Sequence, residues 1–138
     1  MKYLIDTNVL SELRRPRQAD AGLLRWAAAL DPSDAFVSVV TILELERGAV
    51  KAFRNQPEYA RSIFAWLQGS ILPTYAGRIL PVDIAVASRC AQFGQIPDKH
   101  LPDALIAATA LINDQIIVTR NVKDFMAFDV PLINPWTT

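Results

Sequence analysis

The stretch PDALIAATALINDQIIVT, residues 102–119, combines a helix pattern with a strand pattern. Proline is favoured in the first turn of a helix, so Pro102 predicts a helix that runs to about Asn113. This segment is apolar nearly all round, which predicts a helix that is buried on every side. The run 115–119 has Ile-Ile-Val at its centre and predicts a strand. An apolar strand without polar alternation is typical of a parallel sheet covered on both faces.

The same alternation of short apolar strands and amphipathic helices extends over the rest of the chain. The other predicted strands are 2–5, 35–37, 78–80 and 132–133. The other predicted helices are 8–13, capped by Asn8, then 19–30, 41–53, 57–68 with an extension over 70–77 after a break near Gly69 and Pro73, and 83–93, capped by Asp83. Alternating strands and helices predict an α/β protein, a three-layer α/β/α sandwich with a central, mainly parallel sheet.

Composition limits the chemistry that the chain can support. Its 138 residues predict one domain over 1–138, and 51% hydrophobic with 20% charged residues is a globular composition. The lone Cys90 and the lone His100 exclude an internal disulfide and a Cys-rich or two-His metal site. We expect Cys90 in the core and His100 in solvent. Any catalysis must therefore depend on carboxylates.

Charge and hydropathy exclude two further classes. The chain has 14 basic and 14 acidic residues, so no global basic field indicates nucleic acid, and any such partner would need local patches. The start of the chain lacks the apolar core of a signal peptide. The longest mostly apolar run, 104–112, is shorter than the ~18 residues that span a membrane. We expect a soluble, cytoplasmic protein without a membrane partner.

Two carboxylates lie where an open parallel sheet places its functional groups, at the carboxyl ends of strands and the starts of helices. Asp6 directly follows the first strand, and its alternative role is a turn or capping residue. Asp103 opens the apolar helix. Burial of a carboxylate there is costly unless a cation or hydrogen bonds compensate it, although an exposed Asp at this helix end is also favourable.

Two further acids have ordinary alternatives. Glu44 has the spacing of a capping box with Thr41. However, Gly48 lies one turn later at a cost of roughly 1 kcal/mol, which a gap beside Glu44 for an ion or substrate would explain. Asp124 and Asn121 lie in a polar loop after the strand 115–119, which could equally be a surface loop with Arg120 or Lys123 paired to a neighbour.

Four segments together resemble the PIN domain, the ribonuclease fold of VapC-type toxins in bacterial toxin–antitoxin pairs, with the FitB-like subgroup nearest. They occur in family order and cover almost the whole chain: Leu4-Ile-Asp-Thr-Asn8, Ser38-Val-Val-Thr-Ile-Leu-Glu-Leu45, Pro102-Asp-Ala-Leu-Ile-Ala-Ala108 and Val118-Thr-Arg-Asn-Val-Lys-Asp-Phe125. No single segment is specific, but four in order are.

The resemblance implies a set of site residues. The acidic cluster of the family corresponds to Asp6, Glu44, Asp103 and Asp124. Many members have an acid where this chain has Asn121, whereas others rely on the acid before Phe, here Asp124. The residues that match positions supporting the acids are Thr7, Asn8 and Thr119, with Asn121 as a further supporting candidate.

The resemblance also implies a mechanism and partners. Converging carboxylates repel one another, and Mg²⁺, with Mn²⁺ as a substitute, removes that cost through oxygen ligands. The expected function is a metal-dependent endoribonuclease toxin that cleaves tRNA, rRNA or mRNA. Such toxins usually form homodimers and are neutralised by a small DNA-binding antitoxin in a hetero-oligomer.

An acidic pocket repels RNA, so its phosphates need basic residues at the rim. The candidates are Arg14, Arg15, Arg17 and Arg47, together with Lys51 and Arg54. Three rival functions were weighed, and the first two lack residues that they need. A haloacid-dehalogenase-type phosphatase would need an acid at Asn8, and a receiver domain would need an acidic pair after the first strand. A catalytically silent PIN-like module that binds RNA or protein is the alternative that the residues leave open.

Overall fold

Five short parallel strands form the centre of the protein, of which a computed structural model describes residues 1–137. Thr138, the last residue of the predicted domain, lies outside the described residues. The strands are β1 (Tyr3–Ile5), β2 (Ala35–Ser38), β3 (Ile79–Leu80), β4 (Ile116–Val118) and β5 (Leu132–Ile133). They pair in the order β3-β2-β1-β4-β5, and every pairing is parallel. All five predicted strands are confirmed.

Seven helices of the described part connect these strands. They are α1 (Thr7–Leu13), α2 (Ala21–Ala29), α3 (Val39–Ala52), α4 (Pro57–Trp66), α5 (Leu72–Thr74), α6 (Ile84–Ala91) and α7 (Leu101–Ile112). The predicted cap at Asp83 is confirmed, because its side chain accepts a hydrogen bond from Val86 N at 2.9 Å. None of these helices is long and apolar enough to cross a membrane.

The register of the sheet divides the core into two layers. Leu4 pairs with Ile117, and both belong to a buried cluster with α6 and α7. The next pair, Ile5 and Val118, belongs to a second cluster with residues of α1 to α4. Successive side chains of a strand point to opposite faces, so the two clusters cover the two faces of one sheet. The predicted three-layer α/β/α sandwich is therefore confirmed.

Helix α7 is as deeply buried as its apolar sequence predicts. Six of its residues are buried: Ala104, Ile106, Ala107, Ala108, Thr109 and Ala110. Thr109 is the polar member of this set, and its hydroxyl donates to the Leu105 carbonyl one turn earlier at 2.7 Å. Cys90, on the neighbouring α6, is also buried, as predicted. The helix holds Asp103, in its first turn, in a fixed position beside the sheet.

Three local predictions were wrong. Helix α1 is capped by Asp6 rather than Asn8, since Asp6 Oδ1 accepts the Thr7 N–H at 2.8 Å. Helix α3 begins two residues before Thr41, and Ser38 caps it through Val40 N at 3.0 Å. No break separates α4 from α5, because a wider π-type turn (Leu67–Ile71) continues the helix into α5, which contains Pro73 and ends at Thr74.

The order of the strands determines where the chain can build a site. From β1 the chain moves outward to β2 and β3, and then returns to the other side of β1 to form β4 and β5. The connections after β1 and β4 therefore run in opposite directions and leave a crevice between them, where open α/β sheets bind their ligands. Asp6 follows β1 and Thr119 follows β4 at this crevice.

Candidate active site

An open cleft of about 670 Å³ lies at the carboxyl end of β1 and β4. All four acids predicted for the site, Asp6, Glu44, Asp103 and Asp124, line it. The other lining residues are Thr7, Asn8, Ser11, Glu12, Arg120, Asn121 and Trp136. We refer to this set as the acidic cleft. Residues that are far apart in the sequence thus meet where the strand order reverses.

Asp6 is the most firmly held of the four acids. Its side chain is buried, and Oδ1 accepts the Thr7 N–H at 2.8 Å. Its Oδ2 accepts the Thr119 hydroxyl at 2.8 Å and Asn8 Nδ2 at 3.1 Å. Burial raises the pKa of Asp6 despite the opposing effect of these hydrogen bonds, and the charge of Asp124 raises it further. The geometry of the carboxylate is therefore set before any ligand arrives.

Thr119 is the hub of the network around Asp6. The residue is fully buried, and its hydroxyl accepts Asn8 Nδ2 at 3.2 Å and the Asn121 N–H at 3.0 Å while donating to Asp6. Asn8 continues the network, because its Oδ1 accepts the Arg120 N–H at 3.1 Å. The loop after β4 is thus joined to the start of α1.

Glu44 reaches the acidic cleft from the first half of α3. Because Ser38 caps that helix, the capping box with Thr41 is wrong, and Glu44 Oε1 instead accepts the Thr7 hydroxyl at 2.9 Å. Burial and then the charge of Asp6 raise the pKa of Glu44, while Thr7 and Arg47 oppose the rise. Gly48 is exposed with no atom within 4 Å of a Cβ placed on it, and it lines a small hollow together with Glu44 and Thr7.

Asp103 is the acid whose protonation is most disturbed. Burial raises its pKa to about 7, and the charges of Asp6, Asp124 and Glu44 contribute in that order. The side chain of His100 is 41% exposed, in line with the expected surface position, and its Nδ1 lies 4.0 Å from Asp103 Oδ2. In the described part of the chain, no arginine or lysine forms an ion pair with Asp103. The carboxylates therefore form a concentration of negative charge with little internal compensation.

Asp124 and Asn121 both line the acidic cleft. They lie at the end and the start of a short 3₁₀ turn (Val122–Asp124), which follows β4. The charge of Asp124 raises the pKa values of both Asp6 and Asp103, so Asp124 faces the other acids. Asn121 contributes its backbone N–H to Thr119. The loop thus brings an acid and an amide to the same wall of the cleft.

The donor set suits a hard divalent cation that keeps part of its hydration shell. Within residues 1–137, no three His, Cys, Asp or Glu side chains are close enough to enclose a metal ion by themselves. Mg²⁺ typically binds through one or two carboxylates, several waters and substrate phosphate rather than in an all-protein cage. The oxygen-only donors and the mutual repulsion that raises the pKa of Asp103 fit such an ion.

The sequence matches a known protein family over most of its length. The family model described as "PIN domain" matches residues 3–129, which include all four acids. The chain belongs to the PIN-domain family.

Two PIN-domain relatives align over nearly the whole chain. Toxin FitB of Neisseria gonorrhoeae is 36% identical, and the alignment covers 96% of this chain and 97% of the relative. VapC ribonuclease Y4jK of Sinorhizobium fredii is 34% identical and covers 96% of each. A solved structure, the crystal structure of FitAcB from Neisseria gonorrhoeae, has a TM-score of 0.84 at 35% identity and covers 99% of both chains. These matches therefore cover nearly all of the chain, including the segments that form both layers of helices.

The acidic cleft also contains residues that were not predicted for the site from the sequence. Arg120, Trp136, Glu12 and Ser11 line the acidic cleft, whereas Arg14, Arg15, Arg17 and Arg47 do not line it. Arg14 instead lies over the rings of Tyr59 and Trp66, at 5.6 and 5.9 Å from their centroids. The position of Arg120 directly after Thr119, at the carboxyl end of β4, was a signal for its place in the cleft. No comparable signal marks Trp136, which comes from the C-terminal tail.

Proposed function

We propose that this PIN domain is a metal-dependent endoribonuclease toxin that hydrolyses RNA phosphodiester bonds. The convergence of four acids on one cleft, around an Asp6 already held by three side-chain and backbone donors, carries the proposal. A relative named a ribonuclease and another named a toxin, both aligned over nearly the whole chain, support it.

Each acid has a proposed role in this function. Asp6 and Asp103 would bind Mg²⁺, or Mn²⁺ as a substitute, and Glu44 and Asp124 would complete the site or hold a water. The bound ion would supply activation of a water and stabilisation of charge on the attacked phosphate. Thr7, Asn8 and Thr119 orient the carboxylates through the hydrogen bonds described above, as residues behind metal ligands commonly do. Asn121 supports Thr119 from the same loop.

The substrate and partners follow from the family. An open cleft suits a single strand of tRNA, rRNA or mRNA better than an enclosed pocket would. We propose a cognate antitoxin as the inhibitor and a homodimer as the toxin unit, which the antitoxin joins as a hetero-oligomer. Exposed apolar side chains near α6, above all Ile84 at 87% exposure, are available for such contacts. RNA substrates of this kind place the proposed activity in the cytoplasm.

The test is cleavage of a panel of tRNA and rRNA by the antitoxin-free protein in Mg²⁺ or Mn²⁺. We expect cleavage that EDTA abolishes and that falls at least about a hundredfold in Asp6→Asn and Asp103→Asn, because each loses a charged ligand of the ion. Asp114→Asn is the matched control. Asp114 has a φ of +54° just before β4 and lies outside the cleft, and Asn tolerates that left-handed conformation.

Two results would contradict the proposal. Equal cleavage by wild type and both site variants would disprove the site. RNA binding without cleavage of any RNA in the panel would favour a silent PIN-like binding module. Growth arrest on expression that the Asp6→Asn variant relieves would support the toxin role independently of the choice of RNA.

A further inference from the structure

Arg120 is the only arginine or lysine that lines the acidic cleft in the described part of the chain. Its side chain is exposed, while its backbone N–H is fixed by Asn8 Oδ1 at 3.1 Å. It follows directly after Thr119, so the network that orients Asp6 also sets where the arginine begins. The backbone of Arg120 is therefore held next to the residue that orients Asp6, which places a cationic side chain beside the acids.

Despite five acids in the same cleft, the Arg120 guanidinium pairs with none of them. The ion pairs among residues 1–137 join Arg61 to Glu58 and bring His100 near Asp103. The guanidinium instead lies over the ring of Trp136, 5.6 Å from its centroid. An arginine over an aromatic face keeps its charge and its outward-facing N–H donors for an anion.

Trp136 is itself held in place for this contact. Its indole Nε1 donates to Glu12 Oε2 at 3.0 Å, and its backbone N–H donates to Asn134 Oδ1 at 2.9 Å. Glu12 Oε2 also accepts the Asp20 N–H at 2.9 Å, so α1, the start of α2 and the tail meet at one carboxylate. Glu12 Oε2 thus accepts two N–H donors, from the Trp136 indole and from the Asp20 backbone, and neither comes from Arg120.

We propose that Arg120 binds an RNA phosphate next to the cleaved one and that Trp136 is the positioning residue that holds Arg120 for it. This role rests on the proposed function. The Arg120 guanidinium would offset the repulsion between the acids of the cleft and the RNA phosphates. The guanidinium presents paired N–H donors that match phosphate oxygens. Of the basic candidates for phosphate contact, Arg120 lines the cleft, whereas Arg14, Arg15, Arg17 and Arg47 do not, which favours Arg120 for this contact.

The experiment measures RNA binding and cleavage by the full chain at several KCl concentrations. Binding uses fluorescence anisotropy of a labelled mixed-sequence single-stranded RNA, with Ca²⁺ replacing Mg²⁺ to slow cleavage. Arg120→Ala should raise Kd about tenfold and reduce the slope of log Kd against log salt by about 0.7, the value for one lost phosphate contact on a single strand. Arg120→Lys should restore the slope but only part of the affinity.

The variants of Trp136 separate positioning from folding. Trp136→Leu should raise KM several-fold in Mg²⁺ while the salt slope stays near the wild-type value, because Arg120 keeps its charge. Trp136→Phe should lie between wild type and Trp136→Leu, because a ring face remains under the guanidinium although the N–H bond to Glu12 is lost. The matched control is Arg61→Ala, which removes an exposed arginine that lies 5.4 Å from the Phe53 ring and outside the cleft. Thermal melts check that each variant is folded.

The outcomes distinguish this proposal from the proposed function. If cleavage depends on Asp6 while folded Arg120→Ala binds and cleaves like Arg61→Ala, the phosphate-binding role is disproved and the nuclease stands. If no RNA is cleaved but Arg120→Ala alone lowers the salt slope, the nuclease fails and the phosphate contact stands. A wild type that shows no salt-dependent RNA binding would overturn the Arg120 proposal.

Discussion

At the scale of single residues, Thr119 connects most of the acidic cleft. Its hydroxyl donates to Asp6 and accepts from Asn8 and from the Asn121 N–H, and the residue is fully buried. A hydroxyl in this position uses its one donor on the carboxylate and both lone pairs on neighbours. Such an arrangement orients the carboxylate without adding a charge, which leaves the charge of Asp6 for a cation.

Thr119→Val should therefore harm the site more than the fold. The change keeps the shape but removes one hydrogen bond from each of three polar partners, although Asp6 and Asn8 still bond to each other, and it should cost about 1–3 kcal/mol of unfolding free energy. Cleavage should fall roughly 10–100-fold and need more Mg²⁺, as for other residues behind metal ligands. Urea unfolding and a Mg²⁺ titration of cleavage measure the two effects. Thr119→Ser, which keeps the hydroxyl, should recover most of the activity, and equal activity of the Val and Ser variants would contradict the role.

At the scale of elements, the C-terminal tail passes unusually close to the start of α2. A Cβ on Gly22 would lie 3.0 Å from the Pro135 carbonyl oxygen and 3.4 Å from that of Trp136. Glycine is thus required by the approach of another backbone. The same tail carries the Trp136 indole to the cleft. The packing of α2 against the tail is therefore coupled to the wall of the site.

Gly22 in α2 and Gly48 in α3 should respond in opposite ways to alanine. Gly22→Ala should lower the unfolding free energy by roughly 1–3 kcal/mol, because a carbonyl must move, despite the better helix propensity of alanine. Gly48→Ala, exposed in α3 with nothing within 4 Å, should raise it by up to about 1 kcal/mol. Urea unfolding of both variants tests this. Similar gains in both would show that the tail does not constrain α2.

The sequence predicted elements and acids well where one local signal dominated. Short apolar runs identified all five strands, and Asp6, Glu44, Asp103 and Asp124 all line the cleft. Helix starts were less predictable, because Asp6 and Asn8, or Ser38 and Thr41, are comparable caps by residue type. The caps used are Asp6 and Ser38, which lie where β1 and β2 end. The Arg120–Trp136 contact could not be predicted, because the position of Trp136 depends on the direction that the chain takes after β5.

At the scale of the whole molecule, the clustered acids lower the folding stability of the metal-free protein. Two buried clusters hold the sheet from both faces, and the acids meet at the crevice between its halves. A carboxyl whose pKa is raised in the folded state ionises more easily in the unfolded chain. Stability then falls as the pH rises from the unfolded pKa to the folded one. A bound divalent cation would reverse this effect.

Asp103→Asn should consequently stabilise the protein in EDTA at alkaline pH. With a folded pKa of about 7 against the ordinary value of 3.8, wild type loses stability as the pH rises from about 4 to about 7. The variant lacks this loss. The Tm difference should widen from about pH 5 to about pH 8, reaching roughly 4 °C or more.

Mg²⁺ should change the Tm values of wild type and Asp103→Asn in the opposite order. It should raise the Tm of wild type more than that of Asp103→Asn, because the variant has lost a charged oxygen for the ion. Thermal melts of both proteins, with Asp114→Asn as the control, measure each effect. A Tm difference that does not change with pH would show that the repulsion at Asp103 is relieved within the folded protein. A pH-dependent difference without any Mg²⁺ response would separate the clustering of charge from metal binding.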